Sequence, residues 1–401
     1  MTAWLSVIGI GEDGLDGLSS AARTLLGQAE LIIGGERHLA MVPDDGRERL
    51  CWPRPLKAAI PEILARRGRR VAVLATGDPM CYGVGARLSR VVSADEMTII
   101  PALSAFSLAA ARMAWSLPDI ETVTLHGRPA EMIIPCLYPG ARILALTADG
   151  GTPGTVARIL CEQGYPDSRM SVVEQMGGPA ERRIDGIARD WPDGRAAELN
   201  TLAVECIAAP GTVAHPRLPG LPDDVFLHDG QLTKREVRAA TLALLAPLPA
   251  QRLWDVGAGA GSIAIEWLRS HPNNKAVAIE RAPERCALIA RNAAALGAPL
   301  LEVVEGSAPQ ALAGLGAPDA VFIGGGIGAE GLVDTCWRAL PPGGRLVANV
   351  VTVEGEKTVF ECHQRLGGSL TRIAVCRGEA VGPYTGWKPL MPVTQWAAVK
   401  P

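Results

Sequence analysis

Short apolar runs alternate with amphipathic stretches along most of the chain, with the two spacings that belong to strands and helices. Leu5–Ile8 reads as a strand, Gly9-Ile-Gly11-Glu-Asp-Gly14 as a turn and Ser19–Ala29 as a helix. A strand at Leu31–Ile33 follows and ends on Gly34-Gly35. Further strands are predicted at Val71–Leu74, Thr98–Ile100, Thr122–Leu125, Arg142–Leu146, Arg169–Val173 and Thr201–Val204, with helices at Ile60–Arg67, Ser104–Met113 and Thr155–Gln163. Residues 208–228 break the pattern, because Pro210, Pro216, Pro219 and Pro222 with Gly211 and Gly220 suit a linker or interdomain loop. The pattern then restarts. Thr233–Leu245 reads as a helix with Thr233 as its N-cap and Glu236 at capping-box spacing. Strand Arg252–Val256, turn Gly257–Gly261 and helix Ser262–Arg269 come next. Strands at Ala276–Glu280, Leu301–Val304, Ala320–Ile323 and Arg345–Asn349 then alternate with helices at Pro283–Leu296 and Gly331–Leu340. The order predicts an α/β protein of two units, residues 1–207 and 229–401, with 208–228 between them. The second unit is expected to be a doubly wound open sheet, with its ligand beyond the carboxyl ends of the central strands.

Composition narrows the function classes. The chain has 401 residues, 48% of them hydrophobic and 20% charged, which suits large buried cores and not disorder. The net charge is −3, and Lys+Arg against Asp+Glu runs 21 to 25 up to residue 210 and 18 to 17 beyond it. Neither half has the basic excess of a phosphate-backbone binder, so no nucleic-acid partner is expected. The apolar runs fall well short of the ~20 residues that span a bilayer, and no basic region precedes an apolar stretch at the N-terminus. No membrane partner or secretory signal is expected. Nine cysteines without a CxxC pair and six dispersed histidines predict no metal site, no disulfide framework and a cytoplasmic setting. Arginines outnumber lysines 33 to 6. Codon bias accounts for most of that, while guanidinium groups also suit a small polycarboxylate ligand.

The glycine turn of the second unit carries the strongest chemistry. In Asp255-Val-Gly257-Ala258-Gly259-Ala260-Gly261-Ser262 the glycines let backbone approach a ligand where a Cβ would clash. The spacing is G-x-G-x-G, not the G-x-G-x-x-G of dinucleotide sites. Glu280 ends the next strand, where a carboxylate can accept two ribose hydroxyls, and Asp255 can orient the loop or approach a cationic ligand. These residues resemble motif I and the following acidic position of class I S-adenosylmethionine methyltransferases. The resemblance implies that the glycine loop faces the methionine part, Glu280 the ribose, and Ser307 and Ala308 the adenine. The stretch Asp229-Gly-Gln231-Leu-Thr233-Lys234-Arg-Glu236-Val-Arg238 resembles the leading helix of the C15-methylating, decarboxylating family of cobalamin biosynthesis, which places Thr233 beside the donor. The similarity covers about residues 225–395.

In the first half, Val7-Ile-Gly9-Ile-Gly11, Thr76-Gly77-Asp78-Pro79-Met80, Ile100-Pro-Ala-Leu-Ser104-Ala105 and Leu125-His126-Gly-Arg128 together resemble the tetrapyrrole (corrin/porphyrin) methylase family over residues 3–207. The His-Gly-Arg segment and Glu174-Gln-Met-Gly177-Gly178 are closest to its C5-methylating branch. The resemblance implies a bilobal class III methylase fold beside a Rossmann-like class I unit. Donor would lie between the lobes against Gly9, Gly77, Asp78, Met80, Ser104 and Ala105. At Glu12-Asp13-Gly14 the chain departs from the Gly-Pro-Gly of many members.

Together the resemblances imply two S-adenosylmethionine sites and two methylations of one tetrapyrrole, at C5 and C15 of precorrin-6Y, with loss of the C12 acetate carboxyl. Methyl transfer is an in-line displacement that needs positioning and a dry site more than acid–base groups. No catalytic acid or base is therefore assigned. His126, Arg128, Lys234, Arg238 and Asn349 are the candidate substrate contacts, and the family implies a dimer or tetramer. Two other readings are an RNA methyltransferase, which lacks a basic stripe here, and a non-enzymatic tetrapyrrole carrier, against which the intact glycine loops speak.

Overall fold

The apolar runs form strands in three large sheets, in a computed structural model that describes residues 3–53 and 58–401. The chain divides into two units between Thr212 and Val213.

The first unit opens with β1 (Leu5–Ile10), α1 (Ser20–Gln28), β2 (Leu31–Gly34), α2 (Glu36–Ala40), β3 (Glu48–Cys51), α3 (Ala59–Leu64), β4 (Val71–Thr76), α4 (Gly85–Leu88) and β5 (Met97–Ile100). These strands make a parallel sheet in the order β3-β2-β4-β1-β5. Its central strands are apolar on both faces because both are covered. Leu5 and Val7 pack with Ile33 and Val73 on one side, Ile8 and Ile10 with Ile32 and Leu74 on the other. Helix α5 (Ala105–Met113) then leads to a second lobe of β6 (Glu121–Thr124), β7 (Arg142–Leu146), α6 (Thr152–Glu162), β8 (Arg169–Glu174), β9 (Arg182–Ile187) and β10 (Asn200–Glu205). Its mixed sheet runs β6-β7-β10-β8-β9. Phe106, Ala109 and Ala110 of α5 pack on Leu144, Val173 and Ala203, so α5 belongs to the second lobe's core. The unit is bilobal.

The second unit comprises α7 (Arg235–Leu245), β11 (Arg252–Val256), α8 (Ser262–Ser270), β12 (Lys275–Glu280), α9 (Pro283–Ala295), β13 (Glu302–Glu305), β14 (Ala320–Ile323), α10 (Leu332–Ala339), β15 (Arg345–Val350) and α11 (Val353–Leu366). It ends in β16 (Ser369–Ile373), a hairpin of β17 (Cys376–Val381) and β18 (Tyr384–Pro389), and β19 (Val393–Val399). The sheet order is β13-β12-β11-β14-β15-β19-β16, with the first five strands parallel and β19 antiparallel to both neighbours. The order reverses between β11 and β14, which opens the ligand crevice of a doubly wound sheet there. Trp267 on α8 centres one face of the core, and Trp254 and Trp396 on β11 and β19 the other.

Three expectations are corrected within this unit. Residues 213–228 are a packed strap, not a linker: Leu221 and Phe226 enter the core, and Glu266 accepts from the Gly220 and Leu221 amides at 2.7 and 3.0 Å. Prolines still break the helix pattern there, but buried carboxylate and amide groups hold the chain down. Helix α7 starts one residue later than expected, so Lys234 is the N-cap and Thr233 lies outside it. Glu236 pairs with Arg377 at the base of the hairpin instead of closing a capping box. Arg238, expected at the substrate, is fully buried. It pairs with Glu266 at 2.6 Å and Asp223 at 3.2 Å, donates to the Leu221 and Thr233 carbonyls, and lies 4.8 Å from the Phe226 ring centre. A guanidinium with those partners inside the core does not reach a ligand.

Glu266→Leu leaves the Arg238 charge buried without its closest partner, a loss of about 3–5 kcal/mol. The expected outcome is a drop of that size in the unfolding free energy of the second unit. Chemical denaturation of the full chain measures it.

Candidate active sites

In the second unit the crevice floor is the turn after β11. Gly257, Gly259 and Gly261 adopt φ of +69°, +59° and +77°, a left-handed run that side-chain-bearing residues resist. A Cβ on Gly257 would sit 2.9 Å from the Gly325 amide nitrogen, and one on Gly261 2.9 Å from Ile289. Ala258 and Ala260 complete the turn, and the Gly257 and Ala258 amides donate to the Ile279 carbonyl at 2.9 and 3.1 Å. Glu280 is buried and not a solvated strand end. Its Oε2 accepts from the Gly259 amide at 2.9 Å, and its Oε1 from the Arg281 and Ala282 amides at 2.9 and 3.1 Å. The carboxylate thus fixes the glycine loop from the neighbouring strand. Asp255, also buried, accepts from the Ala264 amide at 3.1 Å through Oδ2, while Oδ1 has no partner. Burial, opposed by the Ala264 bond and helped by the charge of Glu280, pushes its carboxyl up to about 7.

Around this floor lie other expected residues. Ser307 is exposed after β13, and Ala308 packs at the edge of the core. Thr233 and Lys234 are half-buried, and Gln231 O, two residues ahead of them, lies 3.6 Å from where a Gly259 Cβ would be, so the chain borders the glycine turn at Gln231. Asn349 is turned toward α7: it donates to Thr241 Oγ1 at 2.8 Å and accepts from Gln395 at 2.8 Å. These bonds put Asn349, itself half-buried, in a polar network with Thr241 and Gln395.

In the first unit three loops converge at the carboxyl ends of β1, β4 and β5. A Cβ on Gly9 would meet the Gly77 carbonyl at 2.0 Å and the Ala102 nitrogen at 2.5 Å. Gly9 is therefore buried backbone packed on backbone, not an open floor for a ligand. Gly77 has φ +58°, and a Cβ on it would meet the Leu103 carbonyl at 2.8 Å, while Gly11 is half-buried. Asp78 Oδ1 accepts from the Met80 amide at 2.8 Å, which turns the loop and leaves Met80 exposed. Ser104 caps α5 by accepting from the Ser107 amide at 3.0 Å, with Ala105 as the first helical residue. Arg128 lies 5.9 Å from the Tyr82 ring centre, and Tyr82 meets Phe106 edge-on at 6.2 Å. Arg128 also lines a recess of about 350 Å3 with Asp149, Thr152 and Arg195. His126 is exposed beside it.

A cluster that the sequence did not single out sits over the same strand ends. Arg37 pairs with Glu12 and donates to Thr76 Oγ1 at 3.0 Å, and His38 Nε2 lies 3.0 Å from the same hydroxyl. Burial and then the Arg37 charge hold the His38 imidazole down to about 4, so it is neutral at physiological pH. Two polar residues after Gly34-Gly35 read as an ordinary helix start, which hid them. Glu12 had shown only as a departure from a glycine-proline turn. Gly178 approaches Glu12 closely enough that a Cβ on the glycine would meet its side chain at 2.7 Å, so the second lobe touches this corner.

Among the described residues no group of three or more His, Cys, Asp or Glu could hold a metal ion, and no helix is long and apolar enough to cross a membrane.

Comparison with known proteins matches residues 5–190 to the family described as Tetrapyrrole (Corrin/Porphyrin) Methylases and residues 224–400 to the Precorrin methyltransferase domain. A precorrin-6Y C(5,15)-methyltransferase (decarboxylating) from Sinorhizobium sp is 48% identical over 401 residues, covering 100% of this chain and 97% of its own. Two shorter relatives from Salmonella typhimurium each match less than half of the chain. A cobalt-precorrin-7 C(5)-methyltransferase is 31% identical over 44% of this chain and 88% of its own. A cobalt-precorrin-6B C(15)-methyltransferase (decarboxylating) is 35% identical over 40% of this chain and 81% of its own. With full-length identity at this level and both units matched in order, the chain belongs to the family of decarboxylating precorrin-6Y C(5,15)-methyltransferases.

Proposed function

We propose that the chain methylates precorrin-6Y at C5 through its first unit and at C15 through its second, with decarboxylation of the C12 acetate, and that each unit binds its own S-adenosylmethionine. The observation that carries the reading is the second unit's left-handed glycine turn, bonded to Glu280 and backed by the unpartnered Oδ1 of Asp255. That cradle suits a cationic adenosyl ligand: Cβ-free backbone admits it, and two carboxylates meet it. Bound S-adenosylmethionine supplies an electrophilic methyl group on a sulfonium.

The chain's part is positioning. Glu280 keeps its loop amides and offers its remaining lone pairs to the ribose hydroxyls. Asp255 places negative charge under the cationic end, and residues 229–234 with Thr233 and Lys234 cover the turn and exclude water. In the first unit the Gly9–Gly77–Ala102 contact fixes the strand-end loops, so that Asp78, Met80, Ser104 and Ala105 form a rigid wall. Arg128, braced on Tyr82, presents its guanidinium edges to a substrate carboxylate, with His126 as an outer contact. Such orientation and water exclusion supply most of what an in-line displacement requires. In decarboxylation the C–C bond to the acetate carboxyl breaks, carbon dioxide leaves, and the electron pair passes into the methylated macrocycle. Cytoplasmic action and assembly into a dimer or tetramer are part of the same proposal.

Three outcomes are expected. Wild-type enzyme with precorrin-6Y and labelled donor gives a product that has gained two methyl groups and lost carbon dioxide, read by mass spectrometry. Gly259→Asp, which sets a side chain against Gln231 O and a second charge beside Glu280, lowers C15 methylation and carbon dioxide release at least about 100-fold and spares C5 methylation. Retained C15 activity would sink this placement of the site. Gly9→Ala drives a Cβ into the Gly77 carbonyl and is expected to give the converse product, methylated once and decarboxylated.

The pH dependence has a definite sign. Asp255 attracts a cationic donor only when ionised, and its carboxyl titrates at about 7. Affinity at the second site therefore rises with pH, by about tenfold between roughly pH 6 and pH 8 if the ionised form alone binds. Calorimetry on Gly9→Ala isolates that site, and Asp255→Asn is expected to flatten the profile.

A further inference from the structure

One face of α9 carries three residues at helical spacing, Arg285, Ile289 and Asn292, and each holds a different part of the glycine turn or its cover. Ile289 fills the space against Gly261 that a Cβ would need. Asn292, 1% exposed, donates to the Ala260 carbonyl at 3.0 Å and the Leu227 carbonyl at 2.9 Å, and accepts from the Leu227 amide at 2.8 Å. It therefore ties the loop and the strap to one helix. Arg285 Nε donates to Asp229 Oδ2 at 2.8 Å, while Asp229 Oδ1 accepts from the Gln231 amide at 3.0 Å. Gln231 in turn sets its carbonyl over Gly259. Residues 227–231 thus run along α9 with two fastenings of unlike strength. The one at Asn292 is buried and saturated, and the one at Arg285 is an ion pair between partly exposed side chains. Just past the second, Gly230, at φ +101°, turns the chain toward Gln231. Arg285 also stands in the first turn after Glu280, whose charge acts on it.

We infer that the Asp229–Arg285 ion pair is a latch that holds residues 229–233 on the glycine turn, so that both are positioning residues governing how firmly the second unit retains its methyl donor. The inference rests on the donor placement proposed above. The geometry separates it from general support of the fold: Asn292 and the Glu266–Arg238 pair anchor the strap in the core whether or not the latch is made. Breaking the latch frees the stretch beyond Leu227, which borders the donor crevice.

The test uses the full-length enzyme and the donor KM for carbon dioxide release, with Asp229→Asn, Arg285→Gln and the double variant. Asparagine retains the oxygen that accepts from Gln231, so the first substitution removes the charge and the hydrogen bond to Arg285 but keeps the turn. Each single variant is expected to raise the donor KM about two- to fivefold, the worth of a partly exposed ion pair, with a smaller fall in kcat and an unchanged melting temperature. The double variant rises no further than the larger single. Added salt at about 0.5 M moves the wild type toward the variants and leaves the variants in place. An unchanged KM in both single variants, additive effects in the double, or kcat and melting temperature falling together would overturn the latch. Failure of the underlying reading looks different: carbon dioxide release would then survive Gly259→Asp, and the latch would fall with it.

Discussion

Backbone packed against backbone at the carboxyl end of a parallel sheet is the constraint on which both units are built. In the first, the Gly77 carbonyl would lie 2.0 Å from a Cβ on Gly9; in the second, Gly325 crowds Gly257. Neither place admits a side chain, and each fixes a loop whose outer side faces a crevice. The glycines are there as much for contact with other loops as for room to admit a ligand. In the second unit the same logic extends to charge. Glu280 holds the turn through three amides, so the carboxylate that suits a ribose is already oriented by the loop it serves.

Buried charge then decides how the periphery is organised. Glu266 accepts from two strap amides and pairs with Arg238, which draws in Asp223, Leu221 and Thr233. Breaking such a pair costs more than making it gains, because the remaining partner stays desolvated. The strap is therefore committed to the core, and the residues leading to α7 follow a fixed path past the glycine turn. Arg377 extends the set outward by pairing with Asp223 and Glu236, so the base of the C-terminal hairpin refers to the same anchor.

The α/β alternation, both glycine turns and the acidic end of β12 were legible in the sequence, since each is local in the chain and tied to one backbone geometry. What stayed hidden depends on partners far along the chain. The proline-rich stretch 213–228 reads as a linker until Glu266 and Asn292, about 45 and 65 residues away, are seen to bind it. Arg238 lies in line with Leu242 and Leu245 on the buried face of α7, and only its acceptors explain how a guanidinium is held there. The hairpin and β16 escaped for another reason: their residues are largely exposed, so no period-2 apolar signal marks them.

The arginine surplus takes on a different meaning once the side chains are placed. Many of these residues pair with carboxylates of the chain itself, among them Arg69 with Glu48, Arg112 with Glu181, Arg182 with Glu174, Arg285 with Asp229 and Arg377 with Glu236. A nearly balanced count of acids and bases suits that use, and bidentate geometry makes arginine better than lysine for it. Composition is thus a poor guide to a polycarboxylate ligand. Arg128 differs in kind, because it is braced by the face of Tyr82 beside a recess. A π face holds the plane of a guanidinium and leaves its N–H edges in place for an acceptor. Arg238, buried with its donors spent inside the core, has no such free edge, and this difference supports the proposal that Arg128 meets the substrate carboxylate.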